Sequence, residues 1–171
     1  MSEKKAKACK KCGEAPDECL VGPYNEINKE CNKAGGEAHH IVPDMTLRTG
    51  TRKEALKNKN RIKPKTGEPT SLKKGIAICI SDGAHKGLHK KLNKKLRGLG
   101  ANNNPPGQAP MNEITEASLD SIDKIKSIDP ACKKEARAKV KKDMRKYGNT
   151  PGRTTTSLPK ETTRKYLKNG G

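Results

Sequence analysis

All four histidines of this chain fall in two short motifs, and that placement constrains its fold more than any other feature. The first motif is Glu37-Ala38-His39-His40-Ile41-Val42-Pro43, and the second is His85-Lys86-Gly87-Leu88-His89. Imidazole is the commonest transition-metal ligand and the usual general base near neutral pH. His85 and His89, four residues apart, lie one turn apart on one face of a helix, so both rings can reach one ion. A third imidazole donor must come from His39 or His40, the only others in the chain. Three such ligands leave a coordination position open for water or a phosphate oxygen, and the fourth histidine is then free to act as general base.

The residues around the two motifs predict strand, strand, helix. Ala38 to Val42 reads as a short strand that Pro43 ends. Gly75 to Ile80 is a second strand, rich in β-branched residues. Ser81-Asp82-Gly83 is a turn, with Ser81 or Asp82 as the cap of the next helix. That helix spans Ala84 to Leu96, with Leu88, Leu92 and Leu96 in one stripe. On an ideal strand, neighbours point to opposite faces. His39 and His40 therefore share a site only if the strand twists or bulges. Glu37 lies on the face of His39 and is placed to accept a ring N–H and orient it.

Composition says how such a chain can hold together. It is 30% hydrophobic and 2% aromatic, with no Trp and no Phe. Mean hydropathy is −1.01. Small domains with weak cores usually need metal or disulfide staples, and six cysteines stand beside the four histidines. Cys9, Cys12, Cys19, Cys31, Cys79 and Cys132 are candidates for disulfides or for zinc, or are free thiols; Cys9-Lys10-Lys11-Cys12 has the spacing that opens a zinc site.

The charge balance points to a polyanionic partner. Lys and Arg number 38 against 19 Asp and Glu, a net charge of +19, and the isoelectric point is about 9.8. Such a field attracts nucleic acid or an anionic membrane surface. No stretch approaches the ~18 apolar residues of a membrane span. The N-terminus lacks the apolar core of a signal peptide, so the expectation is a soluble protein not exported by a cleaved signal. Lys86, Lys90, Lys91, Lys94 and Lys95 fill the polar face of the predicted helix, and no acidic residue occurs between Asp82 and Glu113. That pattern suits a phosphate backbone; the alternative is a merely solvated face.

The remaining segments read by their punctuation. Residues 1–8 form a loose start, and 9–33 an irregular cysteine-rich wrap with one helical turn. A helix is expected near Arg52–Lys59 and a loop over Pro64–Pro69. Residues 98–110 read as a linker. Asn112 to Ser127 is a helix with Ile114, Leu119, Ile122 and Ile125. Asp129-Pro130 caps a further helix that runs to about Tyr147, where Gly148 ends it. Residues 149–171 read as a mobile basic tail. The class is α+β: a small ββα core over about 36–97, a helical pair over 112–147, and one domain spanning 9–148.

These motifs resemble the ββα-metal nucleases of the HNH and endonuclease VII superfamily. E-x-H-H with H-x-x-x-H is similar to colicin-type DNases, and the fuller pattern resembles GHH- or EHHH-type polymorphic toxin nucleases. Their cysteine-rich lead-in is matched by Cys19-Leu-Val-Gly-Pro-Tyr24 and Cys31, their strand cysteine by Cys79, and their helical-pair cysteine by Cys132. The resemblance covers roughly residues 9–148. It implies that His39, His85 and His89 hold one divalent metal ion (Zn, Ni, Mn or Mg), that His40 is the general base, and that Glu37 supports the site. The Asn of HNH has no counterpart: Gly75 stands near its place and Asn60 lies well upstream. The long gap between the motifs implies an inserted loop carrying Arg48, Arg52 and Arg61 toward DNA.

The expectation is therefore a metal-dependent endonuclease that hydrolyses double-stranded DNA with little sequence preference. By resemblance it is an antibacterial effector with an acidic immunity partner and a type VI secretion carrier, acting in the target-cell cytoplasm. The alternatives are a phage or homing HNH endonuclease, and a zinc-stapled, non-enzymatic nucleic-acid-binding module in which Cys79 supplies a fourth ligand.

Overall fold

Ile76-Ala-Ile-Cys-Ile-Ser81 is an apolar, β-branched run buried from Ala77 onward, and the sheet is built around it. The computed structural model describes residues 19–171, apart from the side chains of 82–85. The elements are β1 (Val21–Pro23), α1 (Tyr24–Lys33), β2 (Gly36–His40), a 3-10 turn (Asp44–Leu47), α2 (Arg52–Leu56), β3 (Ile76–Ser81), α3 (Asp82–Gly100), β4 (Gln108–Pro110), α4 (Met111–Asp123), α5 (Pro130–Met144), β5 (Pro151–Arg153) and α6 (Glu161–Lys168). The protein is α+β. β3 lies between β1 and β2 and is antiparallel to both.

Burial on both faces explains why β3 has no polar alternation. Ile78 and Ile80 join the main core with Leu88, Leu92 and Leu96 of α3, Ile114, Leu119 and Ile122 of α4, and Ala136 and Val140 of α5. Ala77 and Cys79 face a smaller cluster with Leu20, Ile27, Cys31 and Ala38 beneath α1. Burying one such Ile or Leu contributes roughly 1.5–3 kcal/mol, so the few large apolar residues are concentrated where they count. Disulfides Cys31–Cys79 and Cys19–Cys132 fasten α1 to β3 and the segment just before β1 to α5. Gly36 permits the first of these: a Cβ there would lie 2.7 Å from Cys79 Sγ and 3.1 Å from Cys31 Sγ.

Local signals account for the helix starts. Thr51 and Glu54 form a reciprocal capping box on α2, and Asp129 accepts from the Ala131 N–H ahead of α5 with Pro130 in its first turn. Three expectations are corrected. The wrap over 9–33 is strand and a ten-residue helix from Val21 onward; its earlier part, with Cys9 and Cys12, lies outside the described residues, as do residues 1–8. The expected linker contains β4, which pairs with β5. The expected mobile tail is a packed part of the protein: Leu167 of α6 is in the main core, and Arg153 is 2% exposed.

Arg153 shows why that tail is held. Its guanidinium donates to the carbonyls of Gly50, Thr155 and Thr156 at 2.7–2.9 Å. Burial, with Arg48 nearby, lowers its pKa to about 10. A buried cation persists among carbonyl oxygens because they replace its water, and here they tie the C-terminal segment to the turn before α2.

Candidate functional site

The sheet separates the two neighbouring histidines. In the β2–β3 register His39 lies opposite Ile78 and His40 opposite Ala77. Pleating sends their side chains to opposite faces, one covered by α3 and the other by α1.

On the α3 face, the His39 ring is 1% exposed and meets His89 edge-on, with ring centroids 4.8 Å apart and planes at 69°. His89 reaches it because Leu88 and Leu92, flanking it on the helix, are buried in the core. Glu37, two residues before His39, is half-buried on the same strand face. His85 occupies the preceding turn of α3, and its side chain lies outside the described residues. Among the described residues no three His, Cys, Asp or Glu form a metal cluster. The separation of the His39 and His89 rings is one that a shared divalent ion allows: two imidazoles bound through Zn–N bonds of ~2.0–2.1 Å place their ring centres on the order of 5 Å apart. Cys79 is not available as a fourth ligand, because it is bonded to Cys31 beneath α1.

On the α1 face, the His40 ring stacks on Tyr24, centroids 4.6 Å apart and planes 9° from parallel. Its Nε2 lies 2.7 Å from the carbonyl oxygen of Leu72. A carbonyl only accepts, so Nε2 carries the proton and the neutral ring keeps its lone pair on Nδ1. Burial pushes the His40 pKa down; Arg52 and Arg61 add to this, while Asp44 and the Leu72 hydrogen bond oppose it. His39 and His40 are thus not joined by a bulge into one cluster; they stand back to back at the end of an edge strand.

The three arginines separate in the same way. Arg61 donates to both carboxylate oxygens of Asp44 at 2.7 and 3.0 Å and to the Thr70 carbonyl. Arg48 lies 3.3 Å from the same carboxylate and donates to the Gly50 carbonyl. Both point inward rather than toward a nucleic acid. Desolvated guanidinium groups need such partners, and Asp44, set by the 3-10 turn after Pro43, supplies one for both. Arg52 remains exposed at the start of α2. Asn60 bonds to Glu54 and takes no part in the site.

Lys86, Lys90, Lys91, Lys94 and Lys95 are all exposed along α3. Lys91, Lys94 and Lys95, with Lys124, line a groove of about 760 Å³ between α3 and α4 that Leu88 and Ile125 also line. Lys95 is 3.5 Å from Asp120. Lys124 and the Leu72 carbonyl had no signal in the sequence, and Tyr24 stood out only as the end of the cysteine-rich lead-in, with nothing to pair it with His40, since each acquires its place only through packing between distant segments. No helix among the described residues is long and apolar enough to cross a membrane. No family model matches the chain, and no curated protein or solved structure is significantly similar to it.

Proposed function

We propose that the protein is a metal-dependent endonuclease that hydrolyses DNA phosphodiester bonds with little sequence preference. The observation that carries this reading is the meeting of His39 from β2 with His89 from α3, one turn beyond His85. His39, His85 and His89 would hold one divalent ion. When bound, such an ion supplies positive charge beside a scissile phosphate and its leaving oxygen. Because His40 stands on the other face of β2, at the end of an edge strand, the phosphodiester would lie across that strand end, with the ion on the α3 side and His40 on the α1 side. His40 accepts the proton of the attacking water at Nδ1 as the water oxygen bonds to phosphorus; the P–O bond to the leaving sugar oxygen breaks, and that oxygen takes a proton from solvent. The Leu72 carbonyl keeps the lone pair on the nitrogen that is not bonded to it. Arg52, exposed and near enough to act electrostatically on His40, and the lysines of α3 neutralise phosphates. Contacts of that kind position the duplex without reading its bases. The resemblance adds a setting: an antibacterial effector restrained by an acidic immunity protein.

Supercoiled plasmid, incubated with Mg²⁺, Mn²⁺, Zn²⁺ or Ni²⁺ and with chelator, tests the reading. Cleavage is expected with metal and lost with chelator. His40→Ala should abolish it while the protein keeps about one ion per chain, and His89→Ala should lose both activity and metal. Absence of cleavage with every metal, or cleavage indifferent to chelator and to both substitutions, overturns it.

A further inference from the structure

Three features meet around the His40 ring, and none belongs to the histidine motifs. Tyr24, the first residue of α1, covers one face of the ring in a near-parallel stack. The Leu72 carbonyl takes its Nε2–H. Gly75, buried before β3, leaves the space the ring edge occupies: a Cβ there would lie 2.9 Å from His40 Cδ2 and 3.4 Å from Nε2. Gly75 is not among the residues with positive φ, so its backbone does not call for glycine. What calls for glycine is room for an imidazole.

The walls of this slot are joined to one another. The Tyr24 N–H donates to the Gly75 carbonyl at 2.9 Å, and the Asn25 N–H to the Lys73 carbonyl at 2.9 Å. The Gly75 N–H closes the turn onto the Ser71 carbonyl at 3.0 Å, and the Ile41 N–H, next to His40, donates to the Ile76 carbonyl at 3.0 Å. The start of α1, the turn 71–75 and the end of β2 are therefore tied to one another by backbone hydrogen bonds.

We infer that Tyr24 and Gly75 are positioning residues for His40, fixing its ring plane and tautomer so that Nδ1 is held ready to take a proton. This rests on the reading of His40 as the base. The stack removes rotation of the ring about its last side-chain torsion, the missing Cβ admits the ring edge, and the carbonyl selects which nitrogen is protonated. A base held this way loses little freedom at the moment of proton transfer, whereas a misplacement of ~1 Å can cost about a hundredfold in rate.

The test uses the full chain with ¹⁵N,¹³C-labelled histidine. In the parent protein the His40 ring should show a protonated Nε2, an unprotonated Nδ1, and ring-proton resonances moved upfield by the Tyr24 ring. Tyr24→Leu and Gly75→Ala should each shift these signals and lower kcat on plasmid DNA by about 10–100-fold, with KM and bound metal little changed. Tyr24→Phe keeps the ring and should restore both the shifts and the rate. The proposal is overturned if Tyr24→Leu and Gly75→Ala, shown folded by circular dichroism, leave the His40 signals in place, if Nδ1 carries the proton, or if the loss falls on KM alone. If the His40 signals respond as expected but the parent chain cuts no DNA, the slot stands and the nuclease reading fails.

Discussion

Asp143 is a residue whose surroundings work against its charge. It lies half-buried on α5, where its carboxylate accepts from the Thr70 hydroxyl at 3.3 Å and faces Lys146 at 4.0 Å. Burial raises its pKa, and Lys146 and Thr70 only partly offset that. The sign follows from linkage: with a folded pKa above the ordinary 3.8, the folded state takes up the proton first as pH falls. Stability from this group therefore rises as pH drops through the folded value and is complete below the unfolded one, while at neutral pH the buried carboxylate is a cost. Asp143→Asn should raise the melting temperature at pH 7, and the difference should vanish once the pH is below 3.8. A lower melting temperature at pH 7 would show that the Lys146 pair outweighs desolvation. The position has structural meaning because the Thr70 N–H also donates to the Tyr147 hydroxyl, holding the segment that leads to Leu72 against α5.

At the scale of elements, α3 carries both proposed roles. Its apolar stripe Leu88, Leu92 and Leu96 was legible, because residues four apart on a helix must share a face; so was β3, because a β-branched run between turn residues has few other fates. α1 was not legible. Only Ile27 and Cys31 are buried on it, and a two-residue stripe among Asn, Glu and Lys gives no periodicity to read. The lysine face of α3 should set affinity rather than rate. Lys90, Lys91 and Lys94 are exposed, and replacing the three by Gln should flatten the dependence of log K on log salt for duplex DNA by roughly 0.9 for each phosphate no longer neutralised. Lys95 is omitted because Asp120 already faces it. Turnover at saturating DNA should stay within about tenfold, since the imidazoles are untouched. A salt slope equal to that of the parent would show a face that is only solvated.

For the whole molecule, the disulfides supply what a core without Phe or Trp lacks. Cys19–Cys132 spans 113 residues and Cys31–Cys79 spans 48. Long closed loops restrict the unfolded chain most, and each bridge is expected to contribute on the order of 2–4 kcal/mol. Cys31→Ser with Cys79→Ser should lower the denaturation free energy by that amount. Thiol titration of the unfolded, unreduced protein should find at most two free groups, since six cysteines less four bonded leave Cys9 and Cys12. Six free thiols would refute the pairing. The same scale explains the ordered C-terminal segment: its charge and Thr-rich composition read as a tail, yet Arg153 and Leu167 are buried in the body of the protein.

Neighbouring residues alone set the elements that carry the histidines and their order: a strand with His39 and His40, expected to run on to Val42 but ending at His40, a second strand before Ser81, and a helix with His85 and His89 one turn apart. Those follow from local periodicity, which is written in neighbouring residues. Tertiary structure alone decided the rest. It sent His39 and His40 to opposite faces, because the pleat held without a bulge. It turned Arg48 and Arg61 inward onto Asp44, because a buried carboxylate and two guanidinium groups satisfy one another better than any of them does alone. It also built the seat of His40 from Tyr24, Leu72 and Gly75, residues brought together only when α1 and the turn before β3 pack against the same edge of the sheet. Contacts between distant segments depend on the packing of the whole chain, and no local pattern records them.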